Sequence, residues 1–129
     1  IVPLVYGDVV VDSSKGCDVY STEKVFDELA KYFAAKFEVR VIHISSEDGV
    51  YKKGQASVFV EINNSNFEEV KEHLGGSNGV DVSGGMLHKV EECLEVAKLG
   101  ITSQIVSGMK PGRVRDAIIG KKVKGTTIK

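Results

Sequence analysis

Apolar positions recur along the chain with two alternating spacings. Residues 2–11, VPLVYGDVVV, form a β-rich apolar run broken at Gly7-Asp8. Turn chemistry at Ser13–Gly16 separates this run from CDVYS (17–21), so a hairpin or strand pair is expected. From Ser21 the spacing becomes helical, with Val25, Phe26, Leu29, Ala30 and Phe33 on one face. Ser21 and Thr22 offer capping hydroxyls and Glu23 places an acid in the first turn, which predicts an amphipathic helix to about Ala35. EVRVIHIS (38–45) reads as a strand, and its nearly continuous Val39, Val41, Ile42 and Ile44 suit burial on both faces.

EDGVYKKGQ (47–55) is a loop, and SVFVEI (57–62) a further short, hairpin-like strand. In NNSNFEEVKEHL, Asn and Ser caps precede Phe67, Val70 and Leu74, predicting a short helix that stops at Gly75-Gly76. A second helix follows Gly84-Gly85, with Leu87, Val90, Leu94 and Ala97 along one face and Gly100 as its C-cap. ITSQIVSG (101–108) is a strand, GRVRDAIIG (112–120) a short helix stopped by Gly120, and KGTTIK (124–129) a last strand. Strands alternating with helices imply an α/β domain with a mainly parallel, twisted sheet.

Composition adds limits rather than detail. The 129 residues are 42% hydrophobic and 27% charged with a net charge of -1, which is ordinary globular composition and fits one domain. Cys17 and Cys93 have no CxxC spacing and no accompanying histidine cluster, so they read as reduced bystander thiols, and a cytoplasmic setting fits. No apolar run approaches the roughly 20 residues of a membrane span, and the start lacks a signal-peptide pattern. From Lys110 onward the chain is basic, with Arg113, Arg115, Lys121, Lys122, Lys124 and Lys129 against Asp116 alone. Interspersed apolar residues and glycines there favour a folded segment over a nucleic-acid-binding tail, and the local positive potential suits a phosphorylated small molecule.

The stretch DVSGGMLHKVEE (81–92) is the candidate for that ligand. Gly84 and Gly85 allow close backbone approach, and the helix after them offers unpaired N–H groups with a partial positive charge. Lys89 lies about a turn further along, placed for its ammonium to swing back over the same site. The pattern is not a Walker A loop, which needs Gly-x-x-x-x-Gly-Lys-Ser/Thr. Taken alone, it also fits a tight loop beside a solvated lysine.

Several segments, in this order and spacing, resemble the C-terminal half of amino-acid-kinase-fold enzymes, most closely the archaeal-type isopentenyl phosphate kinases. They are VPLVYGDVVVD, EDGVY, GSNGVDVSGGMLHKVEECLEVAKLG and the closing GTTI, and together they cover nearly the whole chain. The resemblance implies a three-layer α/β/α sandwich of the carbamate-kinase-like type, of which residues 1–129 form the nucleotide-binding C-terminal part. It implies a kinase that uses ATP and Mg²⁺ to phosphorylate isopentenyl phosphate, and a homodimer when complete. Uridylate, acetylglutamate, carbamate and fosfomycin kinases share the fold, so those acceptors stand as alternatives. By the family pattern Gly84, Gly85, Met86 and Lys89 belong to the nucleotide-phosphate side, with Lys89 catalytic. Ser46, Asp48, Gly49, Val50 and Tyr51 belong to the loop near the nucleotide, and Gly7, Asp8 and Ser21 to the side facing the phosphoacceptor. No metal ligands are assigned.

The chain departs from that pattern in places. Ser46 stands where the family has Asp and Glu47 where it has a small apolar residue, while Thr22 replaces a Gly and Glu23 an Asp. The family's N-terminal half, with its Gly-rich loops and acceptor-phosphate histidine, has no counterpart, and none of His43, His73 and His88 matches that histidine. The expectation is a piece of a longer polypeptide. Two further classes remain: a nucleotide-binding half without activity of its own, and a basic-tailed interaction protein, whose polyanion affinity would fall steeply with salt.

Overall fold

In the computed structural model, residues 2–74 and 84–129 are described. A two-stranded antiparallel ribbon comes first: β1 (Asp8–Asp12) pairs with β2 (Gly16–Tyr20), with Val9 opposite Val19 and Val11 opposite Cys17. That cross-strand set lies on one face of the ribbon, where Val11 is 93% exposed. The strand begins later than the apolar run predicts. Val2–Tyr6 belong to no strand, because a strand needs a ladder and no described segment pairs with them.

Helix α1 (Thr22–Ala34) starts where expected, with the Ser21 hydroxyl accepting from the Lys24 N–H at 3.2 Å. Ahead of it, Gly7 packs against the helix start and donates its N–H to Thr22 Oγ1 at 2.9 Å. A Cβ on Gly7 would lie 2.6 Å from both Thr22 N and Tyr20 O, backbone atoms that cannot swing aside. Gly7→Ala is therefore expected to lower stability by about 2 kcal/mol, read as a reduced urea midpoint with an unchanged m-value.

β3 (Arg40–Ser45), β4 (Glu61–Ile62), β5 (Thr102–Ser107) and β6 (Gly125–Ile128) form one sheet in the order β3-β5-β6-β4. β3 with β5 and β4 with β6 are parallel pairs, and β5 with β6 is antiparallel, so the sheet is mixed and mainly parallel. The predicted strand at 57–62 reduces to β4 and a single antiparallel bridge between Tyr51 and Val58, so its first half folds back on the preceding loop.

On one face lie α1, α2 (Phe67–Leu74) and α3 (Gly84–Ala97). α3 sets Val90, Cys93 and Leu94 against Ile62, Ile105 and Ile128, all buried, while Ala30 of α1 and Val96 of α3 close on Val41 and Ile101. Side chains alternate along β3, sending Val41 and His43 to this side and Ile42 and Ile44 to the other. There α4 (Arg113–Ile118) lies across β5 and β3, and the Arg40 guanidinium donates to the Ile118 carbonyl at 2.9 Å. These are the helix, sheet and helix layers the resemblance implies. Along β3 an apolar cleft of about 560 Å³ stays open, lined by Val2, Leu4, Phe33, Phe37, Ile42 and Ile44. The predicted stop of α2 at Gly75-Gly76 lies outside the described residues, as do Asp81–Ser83 of the glycine motif.

Candidate functional site

Strand direction decides which residues meet. β3 and β5 run parallel, Arg40 beside Thr102 and Ser45 beside Ser107. α1 leads into β3 and α3 into β5, so both helices run back along the sheet and begin at the carboxyl ends of those strands. β6 is antiparallel to β5, with Gly125 beside Val106, so it too begins at this end. One pole of the molecule thus gathers the first turns of α1 and α3, the loop after β3, the loop after β5 and residues 124–126.

Lys89 meets Glu23 here. The Lys89 ammonium is 3.2 Å from Glu23 Oε1, and both side chains are largely buried. Burial works to raise the Glu23 carboxyl, but its own N–H at the helix start and the Lys89 ammonium outweigh it and hold the group below its ordinary value. The carboxylate holds the part-buried lysine in one orientation. Gly85, one turn earlier, is exposed, and a Cβ there would meet nothing within 4 Å among the described residues. Met86 is partly buried and packs against the core cluster. Gly84 opens the helix, so its amide is among those without an intrahelical partner.

The loop after β3 is held from three directions. Asp48 binds the Arg113 guanidinium through Oδ1 and the Lys124 ammonium through Oδ2, the latter at 2.7 Å. Those two cations, Lys124 first, hold its carboxyl below the ordinary value. Gly49 is pressed against β6, and a Cβ on it would stand 2.6 Å from Thr126 Oγ1. The Val50 side chain is fully buried in the core and its N–H donates to Thr126 Oγ1 at 2.8 Å. Ser46 is exposed, and its carbonyl accepts from Ser107 Oγ at 3.1 Å. Tyr51 makes the bridge to Val58. Of the residues expected on the acceptor side, Gly7 and Ser21 sit at the start of α1, while Asp8 is exposed and its side chain accepts from the Val9 N–H.

Glu23, Arg113, Lys124 and Thr126 were not among the residues singled out as site positions. Their partners lie 65 to 76 residues away in the chain for Asp48 and Val50, so no local pattern links them. The basic run from Lys110 was the available signal, and part of it is spent on Asp48. His43 is 4% exposed beneath the Glu23–Lys89 pair, with Nε2 3.2 Å from Cys93 Sγ and Phe26 edge-on at 4.9 Å. Its Nδ1 has no partner among the described residues. His73 Nδ1 accepts from the Lys53 N–H, and His88 lies 3.7 Å from Glu92.

Two helix N-termini and a glycine-bearing loop at strand carboxyl ends are the layout of α/β proteins that hold ligands at that pole. Residues 1–107 match the amino acid kinase family, and the chain belongs to that family. It is 35% identical over 133 residues to the isopentenyl phosphate kinase of Methanothermobacter thermautotrophicus, covering 99% of this chain and 48% of that protein. It is 27% identical over 128 residues to the isopentenyl phosphate kinase of Methanocaldococcus jannaschii, covering 99% of this chain and 46% of that one. A solved structure described as "X-ray structures of isopentenyl phosphate kinase" superposes with a TM-score of 0.66 at 28% identity, over 96% of this chain and 44% of that one. The chain spans about half the length of the curated relatives it matches. Among the described residues, no helix is long and apolar enough to cross a membrane, and no group of three or more His, Cys, Asp or Glu is placed to hold a metal ion.

Proposed function

We propose that this chain is the nucleotide-binding part of a kinase that transfers the γ-phosphoryl group of ATP to isopentenyl phosphate. The observation that carries the reading is Lys89, held by Glu23 one turn past Gly85, which no described atom crowds, at the pole where two helices begin. Phosphoryl transfer needs positioning and neutralisation of charge on the moving group more than covalent chemistry. Free amides at the start of α3 suit the phosphate oxygens, and Lys89 supplies a cation beside them. The relatives' names supply the acceptor, isopentenyl phosphate.

Carried in on the triphosphate, Mg²⁺ would supply neutralisation of phosphate charge. The pole's carboxylates suit that arrangement rather than a protein cage, since Glu23 and Asp48 already face Lys89, Arg113 and Lys124. We assign no residue to the ion. Gly7, Asp8 and Ser21 flank the side for the phosphoacceptor. The complete polypeptide is proposed to work in the cytoplasm as a homodimer.

The deciding experiment compares isopentenyl phosphate, uridylate, carbamate and fosfomycin as acceptors with ATP, using the complete polypeptide. Selective phosphorylation of isopentenyl phosphate is expected, and a clear preference for another acceptor would overturn the assignment. Because the chain spans about half the relatives' length, a second reading applies to the 129 residues alone: ATP binding without turnover. Gly85→Val is expected to weaken ATP binding about tenfold by filling the approach to the amides, while staying folded because its Cβ meets no described atom within 4 Å. Unchanged ATP affinity in that folded variant would separate Gly85 from the nucleotide.

A further inference from the structure

We propose that Thr126 is a positioning residue for the nucleotide-side loop, its hydroxyl acting as the clasp that fixes Asp48–Val50 at the pole. The inference rests on the kinase reading and adds to it a residue from the last strand.

Thr126 is fully buried on β6. Its Oγ1 accepts the Val50 N–H at 2.8 Å and donates to the Phe59 carbonyl at 2.7 Å. Phe59 in turn donates its N–H to the Val50 carbonyl at 2.8 Å, so one hydroxyl closes the base of the hairpin that carries Tyr51 and Val58. Gly49 lies against the same oxygen and against the Thr126 amide, 2.6 and 3.0 Å from where its Cβ would be. A larger residue at 49, or a lost hydroxyl at 126, therefore moves the same few atoms.

Position is transmitted both ways from this clasp. One residue before Gly49, Asp48 reaches Arg113 and Lys124 on the outside. One residue after it, Val50 sits in the core beside Val90 and Leu94 of α3, the helix that bears Lys89. Without the hydroxyl, a buried donor and a buried acceptor lose their partner together, and the loop must shift to find water. Serine offers the same donor and acceptor without the methyl group.

The test titrates ATP into the complete polypeptide and its variants by calorimetry, with thermal melts and amide hydrogen exchange on the same samples. Thr126→Val is expected to raise the Kd for ATP about tenfold and to deprotect the Val50 amide. Thr126→Ser is expected to restore both to within about twofold. Ile101→Ala, just before the start of β5 and away from the pole, is expected to lower Tm yet leave the Kd near that of the parent, which separates positioning from general stability. Should Thr126→Val fail to fold, Gly49→Ala displaces the loop from an intact hydroxyl and is expected to weaken ATP binding similarly. Parent-like binding by folded Thr126→Val, by Gly49→Ala where that variant stands in for it, no rescue by serine, or an equal loss in Ile101→Ala would overturn the proposal. Absence of ATP binding by the parent overturns the kinase reading instead. The clasp is then judged on Val50 exchange, upheld if valine deprotects it and serine restores it, and overturned if valine leaves it protected.

Discussion

Lys89→Ala is expected to slow phosphoryl transfer by about 10²-fold or more in the complete polypeptide, seen as a fall in kcat with ATP and isopentenyl phosphate saturating. The ammonium stands where a helix N-terminus and an open glycine already favour an anion, so its charge serves the state in which negative charge is greatest. Glu23 makes this specific, because at 3.2 Å it holds Lys89 in one place and keeps that place polar. Loss of the lysine then leaves a carboxylate facing the phosphates, adding repulsion to lost attraction. Arginine at the same position keeps the charge but changes its shape and reach, so it is expected to recover only part of the rate. Turnover near that of the parent in Lys89→Ala would remove the residue from the chemistry.

Stability is expected to fall by about 3 kcal/mol as pH is lowered from 7 toward 4, with His43 as the cause. Burial first, and then the Lys89 ammonium, push the imidazole from its ordinary 6.5 down to about 4, against a smaller opposing effect of Glu23. The folded protein therefore keeps His43 neutral while the unfolded chain takes up a proton below about pH 6.5. More protons on the unfolded state means stability rises with pH through that window and is lost on descending it. Cys93, whose thiol burial pushes up to about 11, stays protonated throughout and does not contribute. Glu23, held below its ordinary 4.5, and Asp48 and Asp116, held below their ordinary 3.8, act only at the acid end. Urea midpoints at pH 7 and pH 5 measure the effect, and His43→Phe is expected to flatten the slope between them. A slope as steep in that variant would place the proton elsewhere.

The helices were legible from the amino acids because their signals are local. Ser21 with Phe26, Leu29, Ala30 and Phe33 marks α1, and Leu87, Val90 and Leu94 mark α3, each within a few turns. Strand polarity is not local. Nothing in GTTI announces that β6 runs against β5 and alongside β4, because the same alternation serves either direction. The short SVFVEI run shows the same effect, half of it pairing with Tyr51 and half with β6. At the pole, the glycine motif and Lys89 stood out because bare backbone and cation are neighbours in the chain. Glu23, Arg113 and Thr126 did not, since each matters only through a partner that folding brings near.

The hold of Thr126 on Val50 spans 76 residues, which has a consequence for biosynthesis. Chains leave the ribosome N-terminal end first, at about 5–20 residues per second, and long-range pairings are the last to be rewarded. The Asp48–Val50 loop is thus translated seconds before the strand that sets it. A nascent chain halted before β6 would expose both halves of that hairpin without the hydroxyl that locks them, so the loop is set only once β6 has emerged.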